Sequence, residues 1–173
     1  MKFTIKFLLI IFLSLNVSNL YADLPYILNF KYILNNSDAG KKAQNFLKKK
    51  LDDGLKGIKV KEGKIQEEEK KIIQQKKVIS SDEYRKKVKE LRAKVSSLQK
   101  ERNKLLDTIS KQRSFARNEL LKNLNPILKE YMKEKKIRMV VDNKSILLAD
   151  ENLNITNDII KILNKQLKSI KLN

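Results

Sequence analysis

The sequence predicts an α+β fold that is mostly α: a long antiparallel helical hairpin projecting from a small β-rich body. Three observations lead there. Residues 41–136 hold no proline before Pro126 and repeat aliphatic side chains at spacings of three, four and seven, the period of packed helices. Short runs rich in β-formers lie on either side of that stretch. The charge is segregated as well, with 30 Lys and Arg against 14 Asp and Glu in residues 41–136, a net +16, and near-neutral flanks. A solvated rod on a small packed base distributes its charge in this way.

Residues 1–22 read as a secretory signal. Lys2 and Lys6 precede the apolar run Phe7 to Leu13, and Asn-Leu-Tyr-Ala ends the segment before Asp23. The run is shorter than the roughly 20 residues a membrane span needs, so cleavage is expected after Ala22. Removing the two lysines lowers the formal charge from +19 to +17. There is no cysteine, so an exported chain of this kind relies on packing or assembly rather than disulfides.

Pro25-Tyr26-Ile27-Leu28-Asn29-Phe30 reads as a first strand, with proline at its tolerated start. The turn-rich run Asn35 to Gly40 follows, and Ser37 or Asp38 is placed to cap a helix. In that helix Leu51, Ile58, Ile65, Ile72 and Ile79 recur every seven residues, but their companions Gly54, Lys61, Glu68 and Gln75 are not apolar. Half a seam predicts weak pairing, and Gly54, Gly57 and Gly63, each costing about 1 kcal/mol relative to alanine, predict a flexible or kinked portion.

Ser80 and Glu83 fit a capping box at the start of a second helix, which sets the tip of the hairpin near Ser80 and Ser81. Val88, Leu91, Val95, Leu98, Arg102, Leu105 and Ile109 give that arm a fuller seam. Beyond it, Phe115, Ala116, Leu120, Leu121, Leu124, Ile127, Leu128 and Tyr131 form a wider stripe, suited to packing on a globular body that Pro126 can bend the helix into. Residues 137–141 and 146–149 read as two strands joined through Asp142-Asn143-Lys144, a hairpin expected to pair with the first strand. Thr156 is the expected N-cap of a short closing helix. The hairpin arm thus covers residues 41–115, and the body residues 23–40 and 116–173.

The chain has no histidine and no cysteine, which removes the commonest general base, thiolate nucleophiles and the usual zinc ligands. Consecutive acids such as Glu67-Glu68-Glu69 fan out around a helix rather than converging. Ser-Lys neighbours on an exposed arm offer no burial to deprotonate the lysine. Gly40-Lys41-Lys42 lacks the remainder of a phosphate-binding loop. No catalytic residue, no cofactor and no metal are therefore expected.

A pI near 10.0 is the usual footprint of a nucleic-acid binder. Stacking aromatics are scarce on the arms, though, and export removes the partner, so no physiological nucleic acid is expected. Two readings remain. One is a client-binding surface, whose basic walls attract acidic polypeptides and anionic lipid. The other is a structural coiled-coil envelope protein that binds anionic lipid surfaces. A body this small also lacks the area for a self-sufficient core, which favours oligomers.

The order signal, strand, long charged hairpin, two strands and short helix resembles the Skp family of periplasmic chaperones, also called OmpH. The local matches are Ile33 to Ala43, Met139-Val140-Val141-Asp142-Asn143, Leu148-Ala149-Asp150 and Asn154-Ile155-Thr156-Asn157. Asn154 stands where the family often has aspartate, and the glycine cluster is unusual for its helical arm. The resemblance implies a homotrimer joined through the small body, with three hairpins projecting like tentacles around a basic cavity. It implies an ATP-independent periplasmic holdase whose clients are unfolded outer-membrane β-barrel proteins, with anionic lipid or lipopolysaccharide as a further partner. On that reading Ile58, Ile65, Ile72, Val88 and Val95, with Lys76, Lys77, Arg85, Lys86 and Lys87, face or support the client cavity. Ile27, Leu28, Phe30, Met139, Val140, Val141, Ile146, Leu147 and Leu148 build the trimer body.

Overall fold

The computed structural model describes residues 24–172, and the signal-peptide reading of residues 1–22 lies outside them. The chain runs β1 (Tyr26–Leu28), α1 (Phe30–Asn36), α2 (Asp38–Gln75), α3 (Ser81–Glu134), β2 (Val140–Asp142), two 3-10 turns (Asn143–Ser145 and Glu151–Leu153) and α4 (Thr156–Gln166). α2 and α3 form the long antiparallel pair, turning through residues 76–80. The last third of α3 enters the body.

The first strand is shorter than its composition suggests. Asn29 ends it, because its side-chain oxygen accepts from the Tyr32 backbone N–H at 2.8 Å and caps α1, of which Phe30 is the first residue. β1 then finds its partner after the whole helical hairpin has been traversed. It pairs with β2 in parallel, Tyr26 against Val140 and Leu28 against Asp142. Parallel strands cannot be joined by a tight turn and need a crossover, which the helical hairpin supplies.

The expected β-hairpin of residues 137–149 does not form. Asp142 accepts from the Lys144 N–H at 3.0 Å and Asp150 from the Asn152 N–H at 2.9 Å, and these aspartate turns wind the backbone into the two 3-10 turns. The other side of β1 is taken by Asn154, bridged to Ile27, with the Ile155 N–H on the Ile27 carbonyl at 3.0 Å. Ile146 is half-buried, while Leu147 and Leu148 are 106% and 93% exposed. The body is therefore helix-dominated rather than β-rich, with two three-residue strands among the described residues.

Its core is built where the ends of the helices meet. Ile33 of α1, Leu120, Leu124 and Ile127 of α3, and Ile159 and Leu163 of α4 are buried together with Leu28, Ile137 and Ile155. Polar ties hold the ends in place. Ser37 caps α2, its hydroxyl accepting from the Gly40 N–H at 3.2 Å. Gly40 is required there, since a Cβ would lie 2.1 Å from the Leu34 carbonyl oxygen. Asn164 accepts from the Asp38 N–H at 2.8 Å, joining α4 to the same helix start.

Thr156 does not cap α4, which has no side-chain cap. Its hydroxyl instead accepts from the Asn29 N–H at 2.9 Å, locking the end of β1 to the start of α4. α3 closes with Lys136 in the left-handed region at φ 54. The Ile137 N–H reaches the Met132 carbonyl at 2.8 Å and the Lys136 N–H that of Lys133 at 3.3 Å, the paired bonds of a Schellman ending.

Candidate functional site

Among the described residues no group of three or more acids could hold a metal ion. Tyr131 has its phenol pKa raised by burial and by the Asp158 carboxylate, to which its hydroxyl donates at 3.2 Å; the contact ties α3 to α4. The grooves are shallow, and one of about 460 Å³ lies beside β2. What the chain offers instead is a long two-helix surface, and its chemistry follows from how the two helices are held together.

The apolar seam is sparse. Leu47, Ile58 and Ile72 of α2 are buried against Leu98, Ile109 and Ala116 of α3, with half-buried Ile65, Val88, Leu91 and Leu105 between them. The companion positions that looked like a missing half-seam are not idle. A Cβ on Gly54 would lie 2.6 Å from a terminal carbon of Leu105, so this glycine is the hole into which Leu105 packs. Lys61 meets Glu101 at 2.6 Å and Glu68 meets Lys94 at 2.6 Å. Gln75 accepts from Lys87 at 2.8 Å.

Lys50 with Gln112 at 3.2 Å extends the ladder toward the body, and Glu62 with Arg102 flanks it on the other side of the seam. Steps of seven down α2, from 61 to 68 to 75, meet steps of seven back along α3, from 101 to 94 to 87. The three ion pairs of this set are at least a third exposed, where each is worth about 0.2–1 kcal/mol. Their larger effect is on register, because a slip of one residue breaks every rung at once. Sequence reasoning missed the ladder; the matched seven-residue steps Lys61 to Glu68 on one helix and Glu101 to Lys94 on the other, opposite in charge at both rungs, are the signal that reveals it.

The expectation of a kink at the glycines gives way to a continuous α2 through Gly54, Gly57 and Gly63. Gly57 and Gly63 have nothing within 4 Å of an added Cβ.

The other expected residues divide by exposure. Ile58 and Ile72 are buried between the helices, 2% and 5% exposed, so they support the surface and do not face outward. Val95 is half-exposed, and Lys76, Lys77, Arg85 and Lys86 are exposed at and beyond the tip. Lys87 is half-buried, engaged with Gln75 and Glu83. In the body, Ile27 and Leu28 are buried and Phe30, Val140 and Val141 half-buried, while Met139 is open. Leu28, Phe30, Leu128, Met132, Met139 and Val140 line the 460 Å³ groove beside β2, which among the described residues pairs with β1 alone. A free strand edge, an apolar groove and two exposed leucines in one small body form a surface suited to protein contact.

The comparisons with known proteins agree with this architecture. The profile of a family described as outer membrane protein (OmpH-like) matches residues 26–163. No curated protein matches the sequence significantly. Among solved structures, that of an OmpH-like protein from Caulobacter crescentus CB15, provisionally assigned as an outer membrane chaperone, superposes with a TM-score of 0.78 at 18% identity, covering 87% of this chain and 90% of the other.

Proposed function

We propose that this chain, which belongs to the family of OmpH-like outer membrane proteins, is an ATP-independent periplasmic holdase that keeps unfolded outer-membrane β-barrel proteins from aggregating before they insert. On this reading the protein is a chaperone and not an enzyme. The observation that carries the reading is the arm itself: α2 and α3 leave Val60, Ile73, Val95 and Leu106 about half-exposed on a surface crowded with lysine. Long lysine stems and isolated aliphatic groups make many weak contacts that retain a chain without fixing its conformation.

In this proposal three copies associate through the body and the hairpins stand around a basic cavity. The groove at β2 and the exposed Leu147 and Leu148 support such association, since they are costly to leave in water. Lys76, Lys77, Arg85, Lys86 and Val95 contact the client, with Ile58 and Ile72 behind them. A second reading, an envelope spacer that binds anionic lipid, is favoured by the arm's net +16 alone. Dilution of a urea-unfolded β-barrel protein into buffer with the purified mature chain separates the two by light scattering. Suppressed aggregation by a three-subunit species is the expected result. Vesicle binding with no effect on aggregation would overturn it.

A further inference from the structure

The two kinds of basic side chain are not mixed on the arm. α2 carries lysines and no arginine, and α3 carries five arginines and ten lysines. At about 100° per residue, Arg85, Arg92, Arg102, Arg113 and Arg117 all fall within one arc of about 100° on α3, and none of its lysines lies inside that arc. Arg85, Arg92 and Arg113 share a single heptad position with Gln99 and Leu106. Three residues on, Val88, Val95 and Arg102 share the next. This flank alternates arginine with aliphatic groups along the length of the arm.

The ion pair between Arg102 and Glu62 fixes which side of α2 adjoins it. Leu55 lies one heptad before Glu62 and Ile73 three turns after it, on the same side. Leu55, Ile73, Val95 and Leu106 are all 40% exposed or more. The opposite flank holds the rungs Lys61 with Glu101, Glu68 with Lys94 and Gln75 with Lys87. Its exposed apolar residues are Phe46 and Val60 of α2, two heptads apart, and Phe115 of α3.

Net charge does not account for the arginines, because lysine supplies charge everywhere else on the arm. A guanidinium adds what an ammonium lacks. It is planar, weakly hydrated, stacks on aromatic rings and grips a carboxylate with two hydrogen bonds. Arg117 lies over the Phe30 ring, 5.6 Å from its centre, and Lys50 and Lys76 lie over Phe46 and Tyr84 at 5.7 and 5.8 Å, so contact between a cation and a ring is common to both residue types and the planar, two-pronged grip is what arginine adds. We infer that the arginine-bearing flank of α3, with Leu55 and Ile73 of α2, is the surface that grips an unfolded polypeptide, and that aromatic and carboxylate side chains are what it grips.

This inference rests on the holdase reading. It is tested by replacing Arg85, Arg92 and Arg113 together with lysine, which preserves charge, and separately by Lys100→Gln, Lys104→Gln and Lys111→Gln, which removes charge from the other side of α3. Binding of a urea-unfolded, tryptophan-rich β-barrel protein is followed by fluorescence anisotropy, with helix content checked by circular dichroism. The arginine variant should keep its helix content and bind about tenfold more weakly, through lost stacking and bidentate contacts, and the lysine variant should change by less than twofold.

Equal binding by the arginine variant and the parent would overturn the inference while leaving the holdase reading intact. Failure of the parent to bind any unfolded chain would instead remove that reading. If the arginine substitutions weakened binding to phosphatidylglycerol vesicles and left client binding unchanged, the flank would be a lipid surface, and the inference would be wrong.

Discussion

The body and the arm of this protein are held together by different physics. In the body, Leu120, Leu124, Ile159 and Leu163 are at most 1% exposed, and polar groups such as Ser37 and Thr156 are buried with their hydrogen bonds made. In the arm, few side chains are buried, and exposed pairs such as Lys61 with Glu101 and Glu68 with Lys94 supplement a sparse apolar seam. Apolar burial supplies stability without much specificity, while exposed ion pairs supply specificity of register with little stability. The difference suits a division of labour in which a firm base holds a yielding, solvent-facing surface.

The body should respond most strongly to substitution. Leu124→Ala should cost about 2–5 kcal/mol, the transfer of a buried leucine plus its cavity, and urea denaturation followed by circular dichroism would show it. Next is Thr156→Val, which keeps the shape but strands the Asn29 N–H; the same measurement should register about 1–3 kcal/mol.

The arm should respond less. Lys61→Glu sets two carboxylates against each other at Glu101 and should cost about 1 kcal/mol or less, and Glu101→Lys added to it should restore the loss. Above 0.5 M salt the difference should shrink, since exposed charges are screened. The smallest effect separates the glycines. Gly57→Ala should gain up to about 1 kcal/mol of helix stability, and Gly54→Ala should gain less or lose, because Leu105 must move from the space it fills. Equal gains at both positions would show that Gly54 is not a packing site.

The parts of this fold written in local pattern were legible. The spacing of Val88, Leu91, Leu98, Leu105 and Ile109 announces a helix whose partner runs antiparallel, and the stripe from Ala116 to Ile127 marks where that helix enters the core. Ser80 was readable as a cap because serine three residues before glutamate leaves few other uses for either. What was not legible depends on distant partners. Tyr26 to Phe30 is rich in β-formers, yet Asn29 turns Phe30 into a helix. Ile146 to Ala149 has the composition of a strand, but β1 has no open side for it: β2 and Asn154 occupy both. Thr156 looked like a cap and serves Asn29, 127 residues away.

In the candidate surface, the lysines and the exposed Val95 could be read directly. Ile58 and Ile72 could not be placed, because a heptad repeat does not say whether its apolar line is buried by the neighbouring helix or offered to a partner. Gly54 misled for a related reason. Glycine in a helix signals weakness when nothing faces it, and signals contact when a leucine does.

The arm does the work and the body holds it. Hydrogen exchange measured by mass spectrometry, on the mature protein with and without a bound unfolded β-barrel protein, tests this division most directly. The account predicts that amides around Leu120 to Ile127 and Ile159 to Leu163 are already protected and change little, while client binding slows exchange along residues 85–113. Protection that appears in the body and leaves residues 85–113 unchanged would contradict it.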